Sequence, residues 1–288
     1  MNIEGKSIVL GVAGGIAAYK AADLCSQLVK ANATLDVILT DAAREFVAPL
    51  TFQALTHRPV VTEMFSLLAE TEIGHVILAK HADLLIIAPA TANTIAKLAA
   101  GLADNMLTTT ALATHAPILL APAMESQMWL NPLTKSNISK LRQERDVLVV
   151  GPGTGRLASG ASGVGRMAEP EEILDAARWV IGRHGPLSGR RVVITAGGTR
   201  ETLDPIRFLG NRSSGQMGYA LTYEARDRGA KVKLISTVDL PEPSGVKLLA
   251  VETADQMLDA VLEAMDGMDV LLMAAAVADY RPARQQTK

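Results

Sequence analysis

An α/β protein made of doubly wound, parallel-stranded units is the fold class this sequence predicts, and three observations predict it. Short apolar runs alternate with helical patterns at the spacing of right-handed strand–helix–strand crossovers. Hydrophobic residues make up 49% of the chain and charged residues only 20%, the balance of a sheet covered by helices on both faces. A glycine turn joins a strand to a helix twice, once near the start of each half of the pattern. With 288 residues the chain is long enough for two such units and buries roughly 75% of its unfolded surface without staples.

In chain order, Ser7 to Val12 reads as a buried strand, Ala17 to Lys30 as a helix and Leu35 to Thr40 as the second strand. Further strands are expected at Leu84 to Ala88, Ile118 to Ala121 and Val147 to Val150, with helical patterns at Thr94 to Leu98, Asn105 to Ala113 and Leu133 to Glu144. Residues 151–167 carry too much glycine for a helix or a strand, so a loop is expected there. A helix follows from Pro170 to Arg183, then a linker at Gly185-Pro186-Leu187-Ser188-Gly189. The boundary therefore falls between a first domain, 1–184, and a second, 185–288. The second opens with strand Val192 to Thr195, continues with a helix at Met217 to Arg228, and shows strands Lys231 to Ser236 and Val270 to Ala274. A sheet stopping there leaves an open edge, so the second domain is expected to be partial.

The composition excludes some partners. Net charge is −2, with no basic excess to neutralise a nucleic-acid backbone. The one cysteine, Cys25, excludes an internal disulfide and any multi-thiolate metal site; no metal ligands are assigned. Cys25 sits in an Ala-rich helical pattern and suits a small buried apolar role in a reducing cytoplasm. The start, Met1 to Lys6, lacks a signal-peptide layout, and Pro89, Pro117 and Pro122 interrupt the longest apolar stretches, so no membrane span is expected.

In the first glycine turn, Gly11-Val12-Ala13-Gly14-Gly15-Ile16, glycines let backbone N–H groups approach a phosphate at a helix N-terminus. The spacing is not G-x-G-x-x-G, and the second strand ends at Thr40 with no acid to hold a ribose diol. That favours a mononucleotide such as FMN over NAD; a tight turn with no ligand is the alternative. The second turn, Thr195-Ala196-Gly197-Gly198-Thr199-Arg200, repeats the logic and suits a nucleoside triphosphate. The first unit is thus expected to be flavodoxin- or Rossmann-like and the second a partial Rossmann-like unit.

Several further segments occur in order: Ile73-Gly74-His75-Val76, Ala82-Asp83, Ala88-Pro89-Ala90-Thr91-Ala92-Asn93-Thr94-Ile95-Ala96-Lys97, Gly101 to Asn105, Pro122-Ala123-Met124, Met128-Trp129 and Gly163-Val164-Gly165-Arg166-Met167. Together with Gly14 to Lys20 they resemble the flavin-dependent phosphopantothenoylcysteine decarboxylases, of the homo-oligomeric flavin-containing cysteine decarboxylase group, over residues 5 to about 182. Behind them, Thr195 to Arg200, Asp204 to Phe208, Asn211 to Gly218 and Ala274 to Pro282 resemble the phosphopantothenate–cysteine ligase domain fused behind that decarboxylase in most bacteria, without its remaining third to half.

The resemblance implies the following chemistry. Oxidation of the substrate's thiol side chain to a thioaldehyde, with FMN as acceptor, places the carboxylate β to C=S; CO₂ leaves, and hydride and proton then return to the ene-thiolate. His75 matches the catalytic histidine, a proton shuttle near neutral pH; His57, His81, His115 and His184 read as structural or surface groups. Gly14, Gly15, Ile16 and Thr91 belong to the flavin-binding segments. Asn93 and Thr94 match flavin contacts, with helix capping as their bland alternative. Thr40 is expected to add a hydroxyl, and Met124 to pack on the flavin or fill core. Two departures stand out. Glu125 replaces a frequent Asn that would donate to the substrate carboxylate; an ionised Glu repels that carboxylate, a protonated one can donate, and an outward-turned one leaves recognition to other groups. Ser159 stands where many members carry a cysteine as the final acid, and a hydroxyl is a far poorer acid than a thiol.

For the second domain the resemblance implies CTP- and Mg²⁺-dependent ligation of 4'-phosphopantothenate with cysteine through an acyl-cytidylate. Asn211 would stabilise that chemistry; Met273, Ala274, Ala275, Asp279 and Lys288 would meet CTP, although Lys288 lacks the basic flanks of its counterpart. Ligase activity is not expected of the partial domain. The group assembles as trimers with flavin sites at subunit interfaces, and fused forms as dodecamers, so a homo-oligomer is expected. The alternatives are a non-catalytic flavin-binding regulatory subunit, a peptidyl-cysteine decarboxylase of the same fold and, further off, a flavin prenyltransferase.

Overall fold

The computed structural model describes residues 3–64 and 74–283. The chain forms two compact units, Met1–Val180 and Ile181–Lys288, the break falling just before the Gly-Pro linker.

In the first unit, β1 (Ser7–Val12) is an apolar run buried along almost its whole length. α1 (Ala18–Lys30) buries Ala21, Leu24, Cys25 and Leu28, the i, i+3, i+4, i+7 stripe of an amphipathic helix. β2 (Thr34–Leu39), α2 (Asp41–Arg44) and α3 (Pro49–Thr56) follow; Pro49 suits the first turn, and Phe52 is fully buried. β3 (Val60–Val61), α4 (Gly74–His81) and the entirely buried β4 (Leu84–Ala90) come next. α5 (Ala92–Ala100) starts at a Thr91 cap and stops at Gly101, whose φ of 68° is left-handed. α6 (Met106–Ala113) opens with an Asn105–Thr108 capping box. β5 (Ile118–Pro122), α7 (Ser126–Leu130), α8 (Pro132–Glu144) and β6 (Val147–Val149) complete the sheet.

The six strands pair in parallel in the order β3-β2-β1-β4-β5-β6. This is the Rossmann order, in which successive crossovers leave β1 and β4 towards opposite edges and open a crevice beyond their C-terminal ends.

Residues 151–167 depart from the expected loop. They form an antiparallel hairpin, β7 (Gly153–Arg156) and β8 (Ser162–Arg166), with Arg156 opposite Ser162 and Gly155 opposite Gly163. Glycine weakens a strand by entropy, but it is needed where another backbone approaches closely. A Cβ on Gly165 would collide with the carbonyl oxygen of Met124. α9 (Pro170–Gly182) closes the unit.

The second unit contains β9 (Arg191–Ala196), the short antiparallel pair β10 (Arg200–Thr202) and β11 (Phe208–Gly210), α10 (Gln216–Asp227) and β12 (Lys231–Ser236). β13 (Lys247–Ala250), α11 (Ala254–Ala264) and β14 (Val270–Met273) follow. The parallel order β13-β12-β9-β14 repeats the first four positions of the first sheet. β13 and α11 escaped the sequence reading. The Leu248 and Leu249 of β13 lie between a Pro-rich approach and Glu252, too short an apolar run to stand out. Among the described residues no helix is long and apolar enough to cross a membrane.

One device recurs in both units. Ahead of β4, the Asp83 carboxylate accepts the backbone N–H of Ser7 at 2.8 Å and the Lys6 ammonium at 3.2 Å. Ahead of β14, Asp269 accepts the N–H of Arg191 at 2.7 Å and the Arg190 guanidinium at 3.0 Å. Each aspartate thus satisfies the first donor of its central strand and sets the register of the neighbouring strand. The Arg191 N–H, followed by Arg190, holds the Asp269 carboxyl below the usual carboxylate range. A depressed folded-state pKa contributes stability that is present above the unfolded value and is lost as pH falls through the folded value. Asp269→Ala is therefore expected to lower the denaturant midpoint of the second unit at pH 7. The gap from the parent should close as pH drops below the ordinary aspartate range; a pH-independent gap would show that the carboxylate does not act through its charge.

Candidate functional site

A cavity of about 910 Å³ opens at the C-terminal ends of β1, β4 and β5, at the switch point of the strand order. That volume lies in the range of small-molecule and cofactor sites. Its walls are the segments that follow those strands: Gly14 to Ala17 after β1, Thr91 to Thr94 after β4, and Ala123 to Glu125 after β5, with Thr40 beyond β2 and Arg156 to Ala158, Gly165 and Arg166 from the hairpin.

The strand-to-helix turns give each wall a definite chemistry. Thr91 caps α5 by accepting the Thr94 N–H at 3.3 Å, and its hydroxyl lies 3.1 Å from that of Thr94. The capping role considered for Asn93 and Thr94 thus falls on Thr91. The Asn93 amide lines the cavity with no hydrogen-bond partner among the described residues. Thr40 caps α2 through the Ala43 N–H at 3.3 Å. The N-cap of α1, Ala17, has no capping side chain; the Ala18 and Lys20 N–H groups bond to the Gly15 and Ala17 carbonyls at 2.9 and 3.0 Å, so the N–H groups left to meet an acceptor are those of the preceding turn, Gly14 to Ala17. Gly14 packs so closely on the backbone of Ala42 that a Cβ would overlap it, whereas a Cβ on Gly15 would meet only the Thr91 methyl at 3.7 Å.

The cavity carries charge of both signs, mostly paired. Lys97 donates to Asp104 at 2.6 Å, and this hydrogen bond holds the Asp104 carboxyl below its usual range. Lys20, only 7% exposed, places its ammonium 2.9 Å from both Glu169 oxygens, and Arg166 reaches the same carboxylate at 3.0 Å. Lys20, then Arg166, depresses the Glu169 carboxyl. This triad joins α1 to the root of the hairpin. Arg156 and Glu125 line the cavity without partners among the described residues. Glu125, half-buried, is part of the cavity lining.

Sequence reasoning marked Gly14, Gly15, Ile16, Thr40, Thr91, Asn93, Thr94, Met124 and Glu125, and the fold gathers all nine on one cavity. It passed over Lys20, Lys97, Asp104, Arg156 and Arg166, although four of these sit inside the motif segments. Their signal was a charge within an otherwise apolar motif. Two expected groups are not on the cavity wall. His75 lies in the first turn of α4, and its Nδ1 is buried without a partner among the described residues. Ser159 sits at the hairpin tip, where its hydroxyl accepts the Ala161 N–H at 3.4 Å.

In the second unit, Asn211 donates to the Val277 carbonyl at 3.0 Å. Thr195 accepts the Ala275 N–H at 3.2 Å, Thr199 that of Ala278 at 2.8 Å, and Ala276 donates to the Gly197 carbonyl at 2.7 Å. The glycine turn, Asn211 and the segment Met273, Ala274 and Ala275 are thus neighbours. Asp279 follows them, exposed, and Lys288 lies outside the described residues. Among the described residues no three or more His, Cys, Asp or Glu side chains converge as metal ligands.

The two adjacent glycines separate packing from ligand approach. Gly14→Ala is expected to destabilise the first unit by about 1–3 kcal/mol through overlap with backbone, and Gly15→Ala by less than about 0.5 kcal/mol. Denaturant unfolding of the two variants checks this, and equal losses would remove the distinction.

Residues 1–182 match the Flavoprotein family model, and residues 187–288 match the DNA/pantothenate metabolism flavoprotein C-terminal domain. The coenzyme A biosynthesis bifunctional protein CoaBC of Mycobacterium bovis is 47% identical over 288 residues, spanning 98% of this chain and 68% of that protein. Its counterpart from Vibrio vulnificus is 46% identical, spanning 98% and 70%. Among solved structures, a PPC decarboxylase mutant complexed with pantothenoylaminoethenethiol superposes with a TM-score of 0.55 at 32% identity, covering 61% of this chain and 97% of that one. The FMN binding protein AtHal3 gives 0.53 at 31% identity, covering 61% and 96%. With both domain models matched in order along one chain and nearly half of its residues identical to these bacterial relatives, the protein belongs to the CoaBC family of coenzyme A biosynthesis bifunctional proteins.

Proposed function

We propose that the first unit binds FMN in the cavity and decarboxylates 4'-phosphopantothenoylcysteine to 4'-phosphopantetheine, and that the second unit is part of a CTP-dependent, Mg²⁺-requiring ligase joining 4'-phosphopantothenate to cysteine. The observation that carries the first half is the convergence of the Asn93 amide, the Thr40 and Thr94 hydroxyls and the glycine turn Gly14 to Ala17 on one cavity. That donor set fits FMN. An amide suits the polar edge of the ring system, apolar Ile16, Ala123 and Met124 suit its faces, and the N–H groups of the glycine turn ahead of α1 suit a phosphate. The relatives named for FMN binding and PPC decarboxylation support the same reading.

FMN held by the Gly14 to Ala17 turn, Asn93 and Thr94 would supply two-electron redox chemistry at the substrate carbon that bears sulfur. The protein's groups handle protons, orientation and water. A base takes the thiol proton as C=S forms. CO₂ leaves, the α-carbon of the ene-thiolate takes a proton, and the thiolate is protonated after hydride returns to its carbon. His75 is the base; in the trimer implied by the resemblance the sites lie between subunits, which accounts for its absence from the cavity wall of its own chain. The exposed apolar Ile16, Tyr19 and Met128 on the cavity support a second copy covering the mouth. Glu125 stands where the substrate carboxylate would be recognised, with Arg156 lining the same cavity. Ser159, on the hairpin, relays a water proton rather than acting as a strong acid. For the ligase half, the support is the packing of Asn211 and the segment 274–276 around the second glycine turn.

The test is anaerobic incubation of purified flavin-loaded protein with phosphopantothenoylcysteine, following CO₂ and phosphopantetheine. Both products are expected. Colourless protein that takes up no added FMN would end the proposal. Yellow, inert protein would support the regulatory-subunit alternative, and turnover of a C-terminal-cysteine peptide would support the peptide decarboxylase. Thr94→Val should weaken FMN binding about two- to tenfold, the effect of one hydrogen bond, as read by quenching of flavin fluorescence; unchanged affinity would remove Thr94 from the site.

A further inference from the structure

The hairpin β7–β8 is fastened to the cavity at one small patch. The Met124 N–H donates to the Gly165 carbonyl at 3.0 Å, and one residue pair further along, the Ser126 hydroxyl donates to the Val164 carbonyl at 2.7 Å. Ser126 Oγ occupies the space that a side chain at Gly163 would fill; a Cβ there would overlap the hydroxyl and approach Ser126 Cβ to 3.3 Å. The hydroxyl is thus seated in a notch made by a missing side chain, on the segment that also carries Glu125. Beyond this patch the tip holds itself together through its own turn, with Leu157 N–H to Ala161 O at 2.8 Å and Gly160 N–H to Leu157 O at 3.0 Å. Arg156, paired in register with Ser162 next to the notch, lines the cavity without a partner among the described residues.

We infer that Ser126 is a positioning residue: its seat in the Gly163 notch holds the hairpin against the cavity, so that the Arg156 guanidinium faces an anionic group of the substrate opposite Glu125. The inference rests on the function proposed above for its substrate, but not for the latch itself. A guanidinium is a permanent cation able to pair with a carboxylate or phosphate. In a cavity where Glu125 replaces a neutral amide, an unpaired cation on the facing wall offsets the added carboxylate. Losing the latch leaves Arg156 present but poorly placed, so binding of the substrate suffers and chemistry at saturation does not.

The experiment uses flavin-loaded protein and two readouts. Limited trypsin cleavage after Arg156, mapped by mass spectrometry, reports hairpin release with no substrate present. Steady-state decarboxylation reports KM and kcat. Ser126→Ala is expected to speed cleavage at Arg156 and to raise KM, each about fivefold, the worth of one hydrogen bond, with kcat within about twofold and FMN content unchanged. Ser126→Thr, which keeps the hydroxyl, should restore both. Gly163→Ala, which fills the notch, should mimic Ser126→Ala, and the double variant should be no worse than the poorer single one, because both act on one contact. Cleavage and KM of Ser126→Ala within twofold of the parent would overturn the inference, as would additive losses in the double variant. If the parent performs no decarboxylation, the functional reading fails on its own, and the cleavage readout still decides whether the latch exists.

Discussion

The close approach of backbones at the carboxyl ends of β1, β4 and β5 is the constraint on which the rest of the first unit depends. A strand order that reverses between β1 and β4 leaves a crevice there, but its depth depends on how near the following turns can come. Gly14 against Ala42 and Gly165 against Met124 are contacts that no side chain would permit. They bring the Thr40 turn, the glycine turn and the hairpin to one volume. Without them the same sheet would form, because its apolar strands are buried regardless of the turns, but the donors of Asn93, Thr94 and the glycine turn would face open solvent.

Much of this fold was legible because the first unit obeys local rules strictly. Strands such as Leu84–Ala90 are uninterrupted apolar runs, and helix starts carry caps at Thr91 and Asn105. What was illegible depended on contacts between distant segments. The glycines of 151–167 looked like a loop because glycine lowers strand propensity. They are strand residues because Ser126 and Met124, some forty residues earlier, require the room. In the second unit β13 is too short an apolar run to stand out, and only pairing with β12 makes the strand; α11 was missed although Met257, Ala260, Val261 and Ala264 form a helical stripe behind the Thr253–Gln256 capping box.

The candidate site divides along the same line. Residues whose role follows from local geometry, such as glycines in turns and threonines after strands, were found. Charges that act in pairs were missed, because pairing joins α1 to residue 169 or α5 to residue 104. Lys20 shows the principle: a lysine 7% exposed in an Ala-rich helix gives no hint of its carboxylate partner far along the chain. A buried ammonium without that partner would carry a large desolvation cost, so Glu169 is as necessary to the cavity wall as the apolar residues of α1.

The two units solve one problem with one device, and this bears on which parts of the chain are free to specialise. Asp83 and Asp269 each take the first N–H of the central strand while a preceding cation neutralises the carboxylate. Register is therefore set at the amino ends of the strands, away from the carboxyl-end turns. Those turns can then diverge: Gly14 and Gly15 lead into an open cavity, whereas Gly197 and Gly198 are held by backbone bonds to residue 276. The same separation makes the hairpin adjustable. Nothing in the sheet register depends on it, so a substitution at Glu125, on the cavity wall, or at Ser159, at the hairpin tip, leaves untouched the strands that build the cavity. A site able to exchange an amide for an acid can take its compensating cation from the hairpin rather than from the sheet, and Arg156 occupies that position.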